Sequence, residues 1–220
     1  MNTVNKTSKT LGLAFLLQFI TSFASAMFLR ATWYVPENIS ATLVKIANNA
    51  SMLRLNILFD MLTALGVIFL GAMLFITVRK QNEKMALTAL GFYLLEAALL
   101  ATSRIATFSL LPLGQEYVSA GQPAILQTLG NLAFASMEFV GGTLHMLAFC
   151  LGGIMFYYLL DKARVVPRVL VLWGLIAVFP MLIGTVTQIF GYTIPFIFYV
   201  PYVPFELVIG LWILVKGIPE

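Results

Sequence analysis

The sequence predicts an all-α polytopic membrane protein, a bundle of six transmembrane helices with an external amphipathic helix. Three observations carry this. The 220 residues are 60% hydrophobic and 10% charged, against about 45–50% and 25% in an ordinary soluble domain. The apolar residues fall in blocks long enough to cross a hydrocarbon core, which takes roughly 20 per helix. The cations between the blocks are also unevenly divided.

The spans read as residues 11–29, 55–78, 85–107, 136–160, 165–190 and 194–215, within one integral membrane domain covering 1–220. Lys6, Lys9, Arg79, Lys80, Lys84, Lys162, Arg164, Arg168 and Lys216 lie on one side of this arrangement. The other side has only Arg30, Lys45, Arg54 and Arg104. An excess of cations marks the cytoplasmic face. Both termini are therefore expected there, in the cell membrane, and the net charge of +4 needs no nucleic acid to explain it.

Span one begins with Lys6 and Lys9, continues as LGLAFLLQFI and reaches ASA at 24–26, the layout of a cleavable signal peptide. The uncharged run extends to Leu29, a full span, so it is read as a retained helix. After Pro36, the residues Ile39, Leu43, Ile46, Ala50 and Leu53 recur at helical spacing. They predict an amphipathic helix on the outer surface. Residues 112–131, with Gln115, Glu116 and Gly121-Gln122-Pro123, read as a polar outer loop. Asn38-Ile-Ser and Asn49-Ala-Ser fit a glycosylation triplet, a pattern that chance also produces.

Spans two and four end alike, in LGAMLFITVRK (70–80) and LGGIMFYYLLDK (151–162). Each is followed about 20 residues on by a glycine, Gly91 or Gly174, so spans two–three and four–five read as related hairpins. Cys150, the lone cysteine, reads as an apolar packing residue in span four. The last hairpin, Phe190 to Glu206, packs seven aromatics and three prolines into 17 residues. Pro201 and Pro204 make the outer half of span six irregular, and Pro180 is expected to bend span five. A broken helix is tolerated at membrane depth where it lines a cavity.

Chemistry must come from the ionisable residues inside the spans. Each charge left isolated there costs roughly 2.5–3.5 kcal/mol. Asp60 lies in the outer third of span two. Glu96, eleven residues beyond Met85, is roughly 16 Å deep at 1.5 Å per residue. Arg104 approaches the outer interface, and Glu206 lies near the midplane. Within SMEFVGGTLHMLAFCLGG, Glu138 and the only histidine, His145, are seven residues apart, almost two α-helical turns and so on one face. Gln188 lies near the outer end of span five. Inward-facing and paired, for example Arg104 with Glu138 or Asp60, these residues build a polar pocket in the outer half of the bundle.

Catalytic patterns are absent. A zinc site commonly needs two or three histidines, and there is no HExxH spacing. One histidine excludes a bis-histidine haem within the chain, and neither a G-x-S-x-G elbow nor a phosphate loop occurs. No metal or other cofactor is expected. The expected partners are the lipid bilayer, a small polar or cationic ligand, and as a further option a second copy or another membrane protein.

Four stretches carry a family resemblance: LRLNILFDML, FYLLEAALL, LGGIMFYYLLDKARVVPRVLVLWGLIA and PFELVIGLWILVKG. Across residues 10–218 the chain resembles the mostly bacterial six-span proteins grouped as domain of unknown function 4386. The resemblance implies a bacterial cytoplasmic membrane protein with no established activity, and it assigns no catalytic role. It places Asp60 and Glu96 where such proteins often carry acids, and it gives no position to His145.

Three function classes follow. The first is binding or transport of a small ligand, or of protons, with Glu96 and Asp60 exchanging protons or holding a cation. The second is an accessory or assembly role in which the polar groups only join helices. The third, an intramembrane enzyme acting on lipid, would use His145 as base with Glu138 or Glu96 orienting it.

Overall fold

Hydrocarbon offers a peptide group no partner, so a chain of this composition satisfies its backbone within helices. The computed structural model describes residues 6–218, and among them the regular structure is helical throughout. Helix α1 (Lys6–Phe23) passes through a π segment, Ala24–Leu29, into the short α2 (Arg30–Trp33). Then come α3 (Ile39–Asn48), α4 (Ala50–Val78) and α5 (Glu83–Ser119). Helix α6 (Ala124–Glu138) runs through a second π segment, Phe139–Leu144, into α7 (His145–Ala163). The chain ends with α8 (Arg168–Ile189), a 3₁₀ turn at Phe196–Phe198 and α9 (Tyr202–Lys216).

Five helical rods are long and apolar enough to cross a membrane: Ser8–Trp33, Ala50–Val78, Glu83–Ser119, Ala124–Ala163 and Arg168–Ile189. The sixth expected span is shorter than its predicted bounds, because α9 has 15 residues and starts only at Tyr202. Proline explains that start. Pro204 falls in the first turn of α9, where a missing N–H removes no helical hydrogen bond. The irregular outer half of this segment agrees with the sequence reading. Pro180 and Pro112, in contrast, sit inside α8 and α5, which continue through them.

The rods pack in a closed order, α1 on α4, α4 on α5, α5 on α7, α7 on α8, α8 on α9 and α9 back on α1. Close approach at small residues sets several seams. A Cβ on Gly12 would lie 2.7 Å from the Leu214 backbone nitrogen, which fixes α1 against α9. The corresponding glycines of the two similar stretches, Gly71 on α4 and Gly152 on α7, press on Tyr93 of α5 from both neighbours. A Cβ at Gly152 would come within 2.7 Å of that ring. Their second glycines do not correspond: Gly91 faces open space, whereas Gly174 is pressed by the Phe205 ring. At the end of the ring that holds the start of α1, Ser8 Oγ accepts from the Ile218 N–H at 2.8 Å.

The far end departs from the sequence reading. Residues 112–131 are not a loop, because α5 runs to Ser119 and α6 begins at Ala124. The real turn is short, with Gly121 and Gln122 at φ 76° and 63°. At 37 residues α5 is roughly 55 Å long and outruns a hydrocarbon core of about 30 Å. Nor does the predicted amphipathic stripe lie free on a surface, and it breaks at Asn49. Its Leu43 and Ile46 are buried in a groove of α5 and α6, against Gly114 and Gly130. Asn38, of the first triplet, caps α3 by accepting from the Ala41 N–H at 2.9 Å.

Candidate functional site

Within this closed ring lies a cavity of about 540 Å³, a size that suits a small molecule. Helix α1 with its π segment forms one wall, through Gln18, Phe23 and Ser25. Asn56 and Asp60 come from α4, Glu96 and Arg104 from α5. Gly141 and His145 face in from the second π segment and α7, and Tyr199, Tyr202 and Glu206 close the circuit. Most of the remaining lining is apolar, including Leu100, Met137, Phe149 and Met181.

One side of this cavity is a satisfied ionic network. The Arg104 guanidinium donates to Asp60 Oδ2, and the Ser25 hydroxyl donates to Asp60 Oδ1. The Asn56 amide donates to Ser25 Oγ and, at 3.5 Å, to Asp60 Oδ2. Asn56 Oδ1 in turn accepts from the Trp33 indole N–H at 2.8 Å. Each group thus has its charge or lone pairs answered, which is what makes a buried ion pair tolerable. Arg104 does not extend outward as an interfacial arginine would. Its Nε and Nη2 also donate to Ser103 Oγ, at 3.0 and 2.8 Å.

Gly141 makes this inward turn of Arg104 fit. A Cβ there would collide with Ser103 Oγ and the Arg104 guanidinium. The π segment that carries Gly141 also corrects an expectation about its neighbours. Glu138 and His145 do not act as one face, because each π turn takes an extra residue and the register slips between them. His145 faces the cavity, while Glu138 pairs with Arg30 at 2.9 Å, part exposed. Arg30 also lies 4.7 Å from the Tyr34 ring centroid. The expected pairing of Arg104 with Asp60 is present, and that with Glu138 is not.

Deeper in the cavity the polar groups are less well answered. Glu206 accepts from the Tyr202 hydroxyl at 3.1 Å, and Tyr202 shares a hydrogen bond with Tyr157. Glu96 is 5% exposed and its Oε2 has no hydrogen-bond partner among the described residues. The same holds for Gln18 Oε1 and His145 Nδ1. The ion pairs of the described residues are Arg30–Glu138, Arg104–Asp60 and Arg168–Asp161, so neither Glu96 nor Glu206 has a cation. Gln188 lies outside the lining and accepts from Tyr199, which is part of it, at 3.2 Å. No three His, Cys, Asp or Glu side chains among the described residues converge as a metal-holding set.

Gln18, Ser25, Asn56, Trp33, Gly141 and Tyr202 belong to this site although the sequence reading did not name them as its members. A polar residue inside an apolar run marked Gln18, and four-residue spacing from Asp60 marked Asn56. Ser25 had no such mark, since its role rests on a π segment that brings it to α4.

Against known proteins, the profile of one family, described as a domain of unknown function (DUF4386), matches residues 10–217. No curated protein and no solved structure matches.

Proposed function

The chain belongs to the DUF4386 family of unassigned activity, and on that premise we propose a multi-pass membrane protein that binds a small ligand, or moves protons with it, through this cavity. The observation that carries the reading is the set of cavity-lining polar atoms that are buried without partners among the described residues, Glu96 Oε2, Gln18 Oε1 and His145 Nδ1. Burying such a group unbonded costs about 1–3 kcal/mol. A protein that only needed its helices joined would gain by replacing these groups with apolar ones. The acids also divide in role within the site: Asp60 is fully engaged, so Glu96 and Glu206 are the acids free to take up a proton or a cation.

In the cytoplasmic membrane the chain would cross six times with both termini inside. Support comes from the turns Arg79–Lys84 and Lys162–Arg168, which hold six of the 13 Lys and Arg and lie at the same end of the ring as Lys9 and Lys216. The 15 residues of α9 span roughly 22 Å, and the irregular segment before it supplies the remaining depth. Proton uptake into vesicles containing the purified protein tests the reading. Glu96→Gln is expected to abolish the flux seen with wild type, and unchanged flux would remove the proposed role.

A second reading, an accessory protein with structural polar contacts, draws on the satisfied Asp60 network. It accounts for that side of the cavity and leaves the deeper acids unexplained. For a lipid-acting enzyme, His145 lacks an orienting carboxylate among the described residues, since Glu138 is held by Arg30 and neither His145 Nδ1 nor Glu96 Oε2 has a hydrogen-bond partner.

A further inference from the structure

The unpartnered atoms that line the cavity share a chemical character. Glu96 Oε2 as a carboxylate and Gln18 Oε1 can only accept hydrogen bonds, and His145 Nδ1 accepts when the other ring nitrogen holds the proton. Gln18 is itself 8% exposed and stands on α1, which α4 separates from Glu96 on α5 in the ring. What completes such a set is a group rich in donors.

Charge narrows the class. The positive groups of the lining, Arg104 and Arg30, are each held by an acid, Asp60 or Glu138. Glu96 and Glu206 are near enough to interact electrostatically, and neither has a cation. The titratable groups without a counter-charge at this depth are therefore acids, which a ligand's cation would complement. Aromatic rings stand around it, with Phe149 and Tyr202 packed edge to face at 5.0 Å between centroids. Ring faces attract cations by about 0.5–2 kcal/mol each when water is excluded.

The rim sets the rest of the ligand. Ala26 and Met27 on the first π segment and Val200 and Pro204 before and in α9 line the cavity and are exposed, Met27 by 52% and Val200 by 40%. A molecule entering between them passes apolar side chains on a face that the bundle presents to lipid. An apolar body on the ligand suits that passage and the Met- and Phe-rich lining.

We infer that the cavity takes a protonated amine carrying an apolar body, its ammonium donating to Glu96, Gln18 and Glu206. This deepens, and rests on, the reading of the cavity as a ligand site. Isothermal titration of the purified full chain in a non-ionic detergent tests it with three probes of one shape: 4-phenylbutylamine, 4-phenylbutanol and 4-phenylbutyrate. The amine is expected to bind at least about tenfold tighter than the alcohol, and Glu96→Gln to remove that advantage while leaving the alcohol unchanged. Gln18→Leu, which leaves both acids in place, is expected to weaken the amine alone, and it serves if Glu96→Gln fails to fold. Equal affinity for amine and alcohol would overturn the inference and leave a site for neutral apolar ligands. Tightest binding of the carboxylate would overturn it in favour of Arg104 as the recognising group. No binding of any probe would also overturn it, and proton flux then judges the underlying reading separately.

Discussion

Asp60 and Glu96 show how two buried acids of one cavity come to differ. Asp60 has Arg104, Ser25 and Asn56 around its two oxygens, while Glu96 meets none of these. Breaking a buried pair leaves a bare charge, so Arg104→Gln is expected to destabilise by about 3 kcal/mol or more. Asp60→Asn should do likewise, and the double variant should lose less than the sum of the two. Melting curves in detergent for the three variants check this, and strict additivity would mean that the pair contributes nothing. The charged members of the site were legible because each interrupts an apolar run. The partner of Glu138 was not, since sequence separation converts to a helical face only while the helix stays α.

Among the elements, the lengths were the least legible feature. Polar residues between 112 and 131 signal a loop, yet α5 keeps going because its far end is covered by α3 and α6, not by lipid. The turn chemistry at Gly121-Gln122-Pro123 was a better guide than composition. Similarity between the stretches 70–80 and 151–162 gained physical content from Tyr93, which lies between Gly71 and Gly152. Gly152→Ala would crowd that ring, and a loss of about 1–3 kcal/mol is expected. Gly91→Ala, with nothing within 4 Å, should instead stabilise α5 by about 0.5–1 kcal/mol. Thermal melts of the two single variants separate crowding from helix propensity, and a harmless Gly152→Ala would contradict the packing described.

For the whole molecule, the helical class and the membrane-length apolar rods could be read from hydropathy, because the solvent imposes them. Which rods adjoin could not, since one apolar surface resembles another and the seams are set by glycines and ring positions. Cys150 gives a direct probe of the assembled bundle, being the sole cysteine and fully buried. A maleimide dye is expected to leave it unlabelled in the folded protein and to react in a single step as the bundle melts. Fast labelling well below the melting temperature would show that the ring opens at α7.

The seating of α1 against α9 has a further consequence, for synthesis. Helix α1 leaves the ribosome well before α9, which carries the surface that receives Gly12. Until then the polar wall built on Gln18, Ser25 and Asp60 lacks its neighbour and looks onto lipid or onto the insertion machinery. Emergence of α9 and closure of the cavity are therefore one event, and a nascent chain stalled before Tyr202 carries open polar groups by which a membrane protease could distinguish it from the closed bundle.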